Sequence, residues 1–115
     1  MAPRLAGRVA VITGASAGIG WASALALAVE GARLVVTARR ADRLDALAAQ
    51  IRTHGSEAIA VAGDAREEET AQRTVSAAVQ TFGGIDLLIN NAGVGNYKNF
   101  VATSAAEYDE RSTTS

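Results

Sequence analysis

Residues Thr13 to Gly20 read TGASAGIG, which places three glycines as Gly14-x-x-x-Gly18-x-Gly20. Glycine costs backbone entropy, so glycines this dense imply a backbone requirement. The chemistry that fits is anion binding. A chain leaving a strand and turning at once into a helix offers free N–H groups, and an absent Cβ lets the backbone approach a phosphate. The plain alternative is a tight turn with no ligand, which three glycines at a first strand-to-helix crossover disfavour.

Three further places put polar groups at the ends of apolar runs. RLVVTA (33–38) is followed by Arg39 and Arg40. In dinucleotide-binding folds an acid at this position holds the ribose hydroxyls. An arginine instead suits a 2′-phosphate, through charge-assisted bonds. NADP is therefore favoured over NAD, against the bland reading of two solvated surface arginines. Asp64, in AGDAR, could accept a hydrogen bond from an adenine amino group, cap the helix that follows, or both. NNAG (90–93) ends an apolar run, where amides would lie beside a ligand crevice or simply make a turn.

These groups need elements to position them, and the apolar pattern supplies four strands and three helices. Strands are expected at 8–13, 33–38, 57–63 and 85–90. Helices are expected from Gly18 to Glu30, from Asp42 to His54, and over 67–82. Their buried faces are read as Ala22, Leu25, Ala26 and Val29; as Leu44, Leu47, Ala48 and Ile51; and as Ala71, Val75, Val79 and Phe82. Gly31, Gly55 and Gly83 follow the helices, where a left-handed cap residue is wanted. Asp42 is placed to cap the second helix, and Glu67, Glu68 and Glu69 suit the positive end of the third. Alternating apolar strands and helices imply an α/β fold: a Rossmann-type, doubly wound parallel sheet in the order 3-2-1-4, incomplete at four strands. The fourth strand is then an edge beside uncovered apolar surface. Self-association, or a complementing chain at that edge, is expected.

Composition narrows the function classes. The formal net charge of −1 gives no electrostatic case for nucleic acid or membrane binding. The chain has no cysteine and one histidine, so no disulfide framework or metal site is expected. His54 is read as a helix C-terminal residue and Trp21 as packing. No apolar run approaches transmembrane length and the N-terminus has no signal-like apolar stretch, so the expected location is cytoplasmic. Tyr97, Lys98 and Phe100 form a mixed loop near a possible substrate entrance. Residues 110–115 form a polar tail, expected to be disordered.

Together TGASAGIG, Asp64 and NNAG resemble the short-chain dehydrogenase/reductase family, from about Gly7 to Asp109, so that 1–109 is expected to be a partial NAD(P)-binding domain. The resemblance implies a cofactor loop of Gly14, Ser16, Gly18, Ile19 and Gly20. It places Asp64 and Ala65 against adenine, and Asn90, Ala92 and Gly93 along the adenosine and ribose. Arg39 matches the basic residue of NADP-preferring members, whereas Ala17 stands where a second basic marker is common. The family's proton transfer uses a Tyr-x-x-x-Lys pair with an upstream serine. Here the one lysine, Lys98, has Val94 four residues before it; Tyr97 and Tyr108 are followed at that spacing by Val101 and Ser112. No catalytic residue is therefore assigned. The expectation is the NADP(H)-binding N-terminal portion of such an oxidoreductase, inactive alone. The alternatives are a non-enzymatic dinucleotide-binding or interaction module, and an inert truncated remnant.

Overall fold

The computed structural model describes residues 4–15 and 18–91. In chain order it contains β1 (Val9–Thr13), α1 (Gly18–Val29), β2 (Arg33–Ala38), α2 (Ala41–Thr53), β3 (Ala58–Ala62), α3 (Glu68–Ala77) and β4 (Leu87–Asn90). A π-helical turn, Ala78–Phe82, carries α3 onward. The sheet order is β3-β2-β1-β4, and every pairing is parallel. This is the order expected from the alternation of elements.

The helices divide between the two faces of the sheet. Ala10, Ile12, Leu34, Val36 and Ala58 share one core with Ala24 and Ala28 of α1 and with Leu44, Leu47 and Ile51 of α2. Val9, Val11, Val35 and Val61 share the other with Ala71, Val75, Ala78 and Val79. Alternate residues of β1 and β2 thus point to opposite faces and both faces are dry, which explains their unbroken apolar runs.

The second and third helices bury the faces read from sequence. Leu44, Leu47, Ala48 and Ile51 are buried, as are Ala71, Val75 and Val79, with Phe82 half-buried. The expected face of α1 is wrong. Its buried residues are Gly20, Ala24 and Ala28. Ala22 and Ala26 are exposed, Leu25 is half-buried, and Val29 is 62% exposed. The helix is apolar nearly all round, so hydrophobic periodicity could not select a face. Size selected it instead: small residues at i, i+4 and i+8 let the helix lie close to the sheet.

Two expected caps also fail. α2 begins one residue earlier than read, at Ala41, so Arg40 holds the N-cap position. Asp42 lies inside the first turn, its Oδ2 3.6 Å from Arg40 Nη2, where its charge suits the helix dipole. At α3 the N-cap position belongs to Glu67, with no side-chain cap. Asp64 contributes its carbonyl to the Glu67 N–H at 2.9 Å, while its carboxylate is engaged elsewhere. Gly31, Gly55 and Gly83 do adopt left-handed conformations after their helices. His54 is the C-cap residue of α2. Trp21 packs against the first core, with the Arg43 guanidinium 5.5 Å from its ring centre.

One polar chain crosses the second core. Thr74 Oγ1 donates to the Thr70 carbonyl at 2.8 Å. Its single proton is thereby used, so the Thr37 hydroxyl is the donor in the 3.0 Å bond between Thr37 and Thr74. Both threonines are fully buried. The bond pins α3 to the C-terminal end of β2, beneath the strand ends that form the site.

Candidate functional site

All four strands end on one side of the sheet, and the chain reverses direction between them. From β1 it moves outward to β2 and β3, then returns to place β4 on β1's other side. Such a switch point leaves a crevice at the carboxyl ends of the strands, where ligands bind in open α/β sheets. Gly14, Arg39, Asp64 and Asn91 each lie just past one strand end, while Asn90 is the last residue of β4.

The glycine loop is held from three sides. Ala15 N–H donates to the Thr37 carbonyl at 3.1 Å, tying the loop to β2. Asn91 Nδ2 donates to the Gly14 carbonyl at 3.2 Å. Asn91 N–H donates to Thr13 Oγ1 at 3.1 Å, and that hydroxyl donates to Asn90 Oδ1 at 2.8 Å. Thr13 thus accepts from one asparagine and donates to the next, locking the tips of β1 and β4 together. Gly14 has φ 64, a left-handed conformation that L side chains avoid.

Each remaining glycine has its own reason. A Cβ on Gly20 would collide with the Gly14 carbonyl and stand 3.0 Å from Asn91 Nδ2 and 3.1 Å from Ala15 Cα. Gly20 therefore permits the close approach of α1 to the loop. Gly18 has φ +62, and a Cβ there would meet nothing within 4 Å. Backbone conformation explains that glycine, and the space above it is clear of the other described residues. Ile19, next along, is 74% exposed. The first N–H groups of α1 lack intrahelical acceptors, as at any helix start. Backbone donors at a twelve-residue helix's positive end, with no Cβ in front of Gly18, form a cradle that fits a phosphate.

The tips of β2 and β3 differ in character. Gly63 N–H donates to the Ala38 carbonyl at 2.9 Å, so Arg39 and Asp64 leave adjacent strand ends. Arg39 is exposed and forms no salt bridge among the described residues, whereas Arg40 faces Asp42. Asp64 Oδ1 accepts the Arg66 N–H at 2.9 Å and Nε at 3.1 Å. Its Oδ2 accepts Nε at 3.2 Å and Nη2 at 2.8 Å. The Arg66 side chain, then its backbone N–H, then the charges of Arg66 and Arg39 hold the Asp64 carboxyl at about 2, below its ordinary 3.8. Asp64 is the stronger acceptor site for being ionised at any working pH.

Of the residues predicted from sequence, Gly14, Gly18, Ile19, Gly20, Arg39, Asp64 and Asn90 stand at this end of the sheet. Ala65 follows Asp64, but the residue is 5% exposed and packs in the second core. Ser16, Ala92, Gly93, Tyr97, Lys98, Phe100 and the tail at 110–115 lie outside the described residues. Sequence reasoning missed Thr13 and Arg66 as site-forming residues. Asn91 was read as part of NNAG beside the crevice but was not assigned a role of its own. Among the described residues no cluster of three metal-ligating side chains occurs, and no helix is long and apolar enough to cross a membrane.

The family model described as short chain dehydrogenase matches residues 8–114. The chain belongs to that family. Among curated relatives, an uncharacterized oxidoreductase of Methylorubrum extorquens is 49% identical over 92 residues, covering 79% of this chain and 37% of that protein. Hydroxyacyl-CoA dehydrogenase ChsB1 of Mycobacterium tuberculosis is 40% identical over 110 residues, covering 91% of this chain and 34% of the relative. The chain therefore spans little more than a third of the length of these short-chain dehydrogenases. Among solved structures, an NAD+-bound xylitol dehydrogenase matches with a TM-score of 0.83 at 28% identity, over 90% of this chain and 48% of that one. The L-sorbose reductase of Gluconobacter frateurii, complexed with NADPH and L-sorbose, matches with a TM-score of 0.75 at 35% identity, over 92% and 46%. Both forms of the dinucleotide thus occur among neighbours of this fold.

Proposed function

We propose that this chain is the NADP(H)-binding N-terminal portion of a short-chain dehydrogenase/reductase oxidoreductase. The observation that carries the reading is the pairing of an anion cradle at α1 with an exposed arginine at the β2 tip. In this reading the first turn of α1 holds the pyrophosphate through backbone N–H groups at Gly18 and Ile19. Arg39 holds the 2′-phosphate, since Arg40 already faces Asp42. Asp64 accepts from the adenine, and Asn90 keeps the floor of the crevice closed through Thr13. When bound, the dinucleotide supplies hydride transfer at its nicotinamide ring. These 115 residues contain no Tyr-x-x-x-Lys pair, so they are assigned binding and orientation of the cofactor, and no proton-transfer step. A cytoplasmic location belongs to the same reading.

The test is cofactor titration followed by NADPH and NADH fluorescence. Arg39→Ala is expected to weaken NADPH about tenfold, as befits a charge-assisted hydrogen bond at an exposed site, and to leave NADH nearly unchanged. Equal loss for both cofactors would remove the 2′-phosphate assignment. No binding of either cofactor at millimolar concentration would favour an inert remnant.

A second element of the proposal concerns β4, which pairs only with β1 among the described strands. Leu87 on this strand is 43% exposed. Beside it lies an open groove of about 300 Å³, lined by Leu5, Ala10, Leu27, Ala32 and Leu87 together with Arg8 and Asp86. We infer that this edge pairs with a second copy or a complementing chain. Leu87→Lys is expected to shift the protein toward monomer in size-exclusion chromatography. A wild-type chain that is already a monomer with a cooperative melt refutes the inference.

A further inference from the structure

We propose that Arg66 is a specificity-determining residue for the nucleotide base: its side chain occupies the positions on Asp64 that an adenine amino group would use. The proposal rests on the reading above that Asp64 faces the adenine. A carboxylate offers about four lone-pair sites. Three Arg66 N–H groups draw on them: the backbone N–H on Oδ1, Nη2 on Oδ2, and Nε, whose single proton is shared between both oxygens. The guanidinium thus covers both oxygens, and an amino donor must compete with it for Asp64.

The geometry makes that displacement local. One of the three donors is the Arg66 backbone N–H, at 2.9 Å. It stays when the side chain leaves, so the carboxylate keeps its place in the turn. The departing guanidinium belongs to a side chain already 66% exposed, while that of Asp64 is 23% exposed. Solvent therefore rehydrates the arginine, and an uncovered but oriented acceptor remains. The nearby positive charge of Arg39 continues to favour the ionised carboxylate. Arg66 thus acts as an internal competitor. It lowers affinity for bases that donate at this position relative to bases that do not.

The test compares AMP with IMP, which carries a carbonyl oxygen where adenine has its amino group. Dissociation constants are read by chemical-shift titration of the intact chain, for wild type, Arg66→Ala and Arg66→Gln. The two variants keep the backbone N–H, and the second also keeps most of the side-chain bulk. The preference for AMP over IMP is expected to rise about two- to fivefold in both variants, the scale of an exposed ion pair removed from the competition. A general change in stability or loop order would move both ligands together and leave the ratio alone. An unchanged ratio, or a weaker relative affinity for AMP, overturns the proposal. Titration of 2′,5′-ADP into wild type and Arg39→Ala separates this outcome from failure of the cofactor reading. If Arg39→Ala weakens 2′,5′-ADP while the AMP/IMP ratio ignores Arg66, the cofactor reading stands and Arg66 is no competitor. If neither AMP nor 2′,5′-ADP perturbs the tips of β2 and β3 in any form, both readings fall.

Discussion

Replacing Gly20 with alanine adds one methyl group at the closest approach between α1 and the glycine loop. By helix propensity alone the change should stabilise the chain by about 1 kcal/mol. The surroundings reverse the sign. The new Cβ would meet the Gly14 carbonyl at a separation that real side chains do not show, with Asn91 Nδ2 and Ala15 Cα at 3.0 and 3.1 Å. Two of the three neighbours are backbone, and that backbone is anchored by Ala15 N–H on Thr37 and by Asn91 on Gly14. Overpacking in such a setting costs roughly 1–3 kcal/mol. The expected net is a loss of about 1 kcal/mol, or roughly 4–8 °C in Tm for a domain near this size. NADPH binding should fall with it, because α1 and its N–H groups are pushed away from the loop. Gly55→Ala is the control. Its φ is +88 and nothing stands within 4 Å, so it pays backbone strain of about 1–2 kcal/mol far from the crevice, with cofactor affinity intact. Circular-dichroism melts and NADPH titration of the two variants decide the matter. A Gly20→Ala chain that melts at or above wild type and binds NADPH equally well refutes the close-approach argument.

Two further outcomes follow from the packing and the charges. Ala24→Leu, at a fully buried position, is expected to destabilise by about 1–3 kcal/mol through overpacking, whereas Ala26→Leu on the exposed side should stay within about 0.5 kcal/mol; denaturant unfolding of both checks the observed face of α1. Asp64 titrates at about 2 when folded against 3.8 ordinarily, so its contribution to stability is complete above 3.8 and disappears as pH falls from 3.8 toward 2. Carboxyl carbon NMR should follow that titration and show it move back toward 3.8 in Arg66→Ala; a wild-type Asp64 titrating at 3.8 would contradict the Arg66 geometry.

What the sequence revealed depended on whether a pattern carried contrast. α2 and α3 alternate apolar and charged residues, so their buried faces were readable from Leu44–Ile51 and Ala71–Val79. α1 has almost no polar residue to mark its outer side, and Ala24 looks no more buried than Ala26 until the sheet is in place. Strand order followed from parallel crossovers, which admit few arrangements. That Gly14, Arg39 and Asn90 stand at the strand ends was legible because each terminates an apolar run. Arg66 was not, since arginine two residues past an aspartate has many uses, and only the turn at Asp64 folds the side chain back. The hydroxyl chain from Thr37 through Thr74 was hidden for the same kind of reason: its members come from a strand and a helix distant in sequence.

The clasp between Asn91 and Gly14 joins residues separated by 77 positions. The β1–β2 and β2–β3 pairings close far shorter loops. Loop-closure entropy grows only slowly with length, but the order of events is affected more than the energy, because distant parallel pairing is intrinsically slow. During synthesis β1, β2 and β3 can assemble with α1 and α2 while β4 is still inside the ribosome. At that stage the glycine loop exists without the asparagines that fix it, and the Thr13 hydroxyl has neither of its strand-end partners. Among the described residues, the crevice is therefore finished by the last of them to be made. A nascent chain arrested before Asn91 should be largely folded and yet unable to retain a dinucleotide.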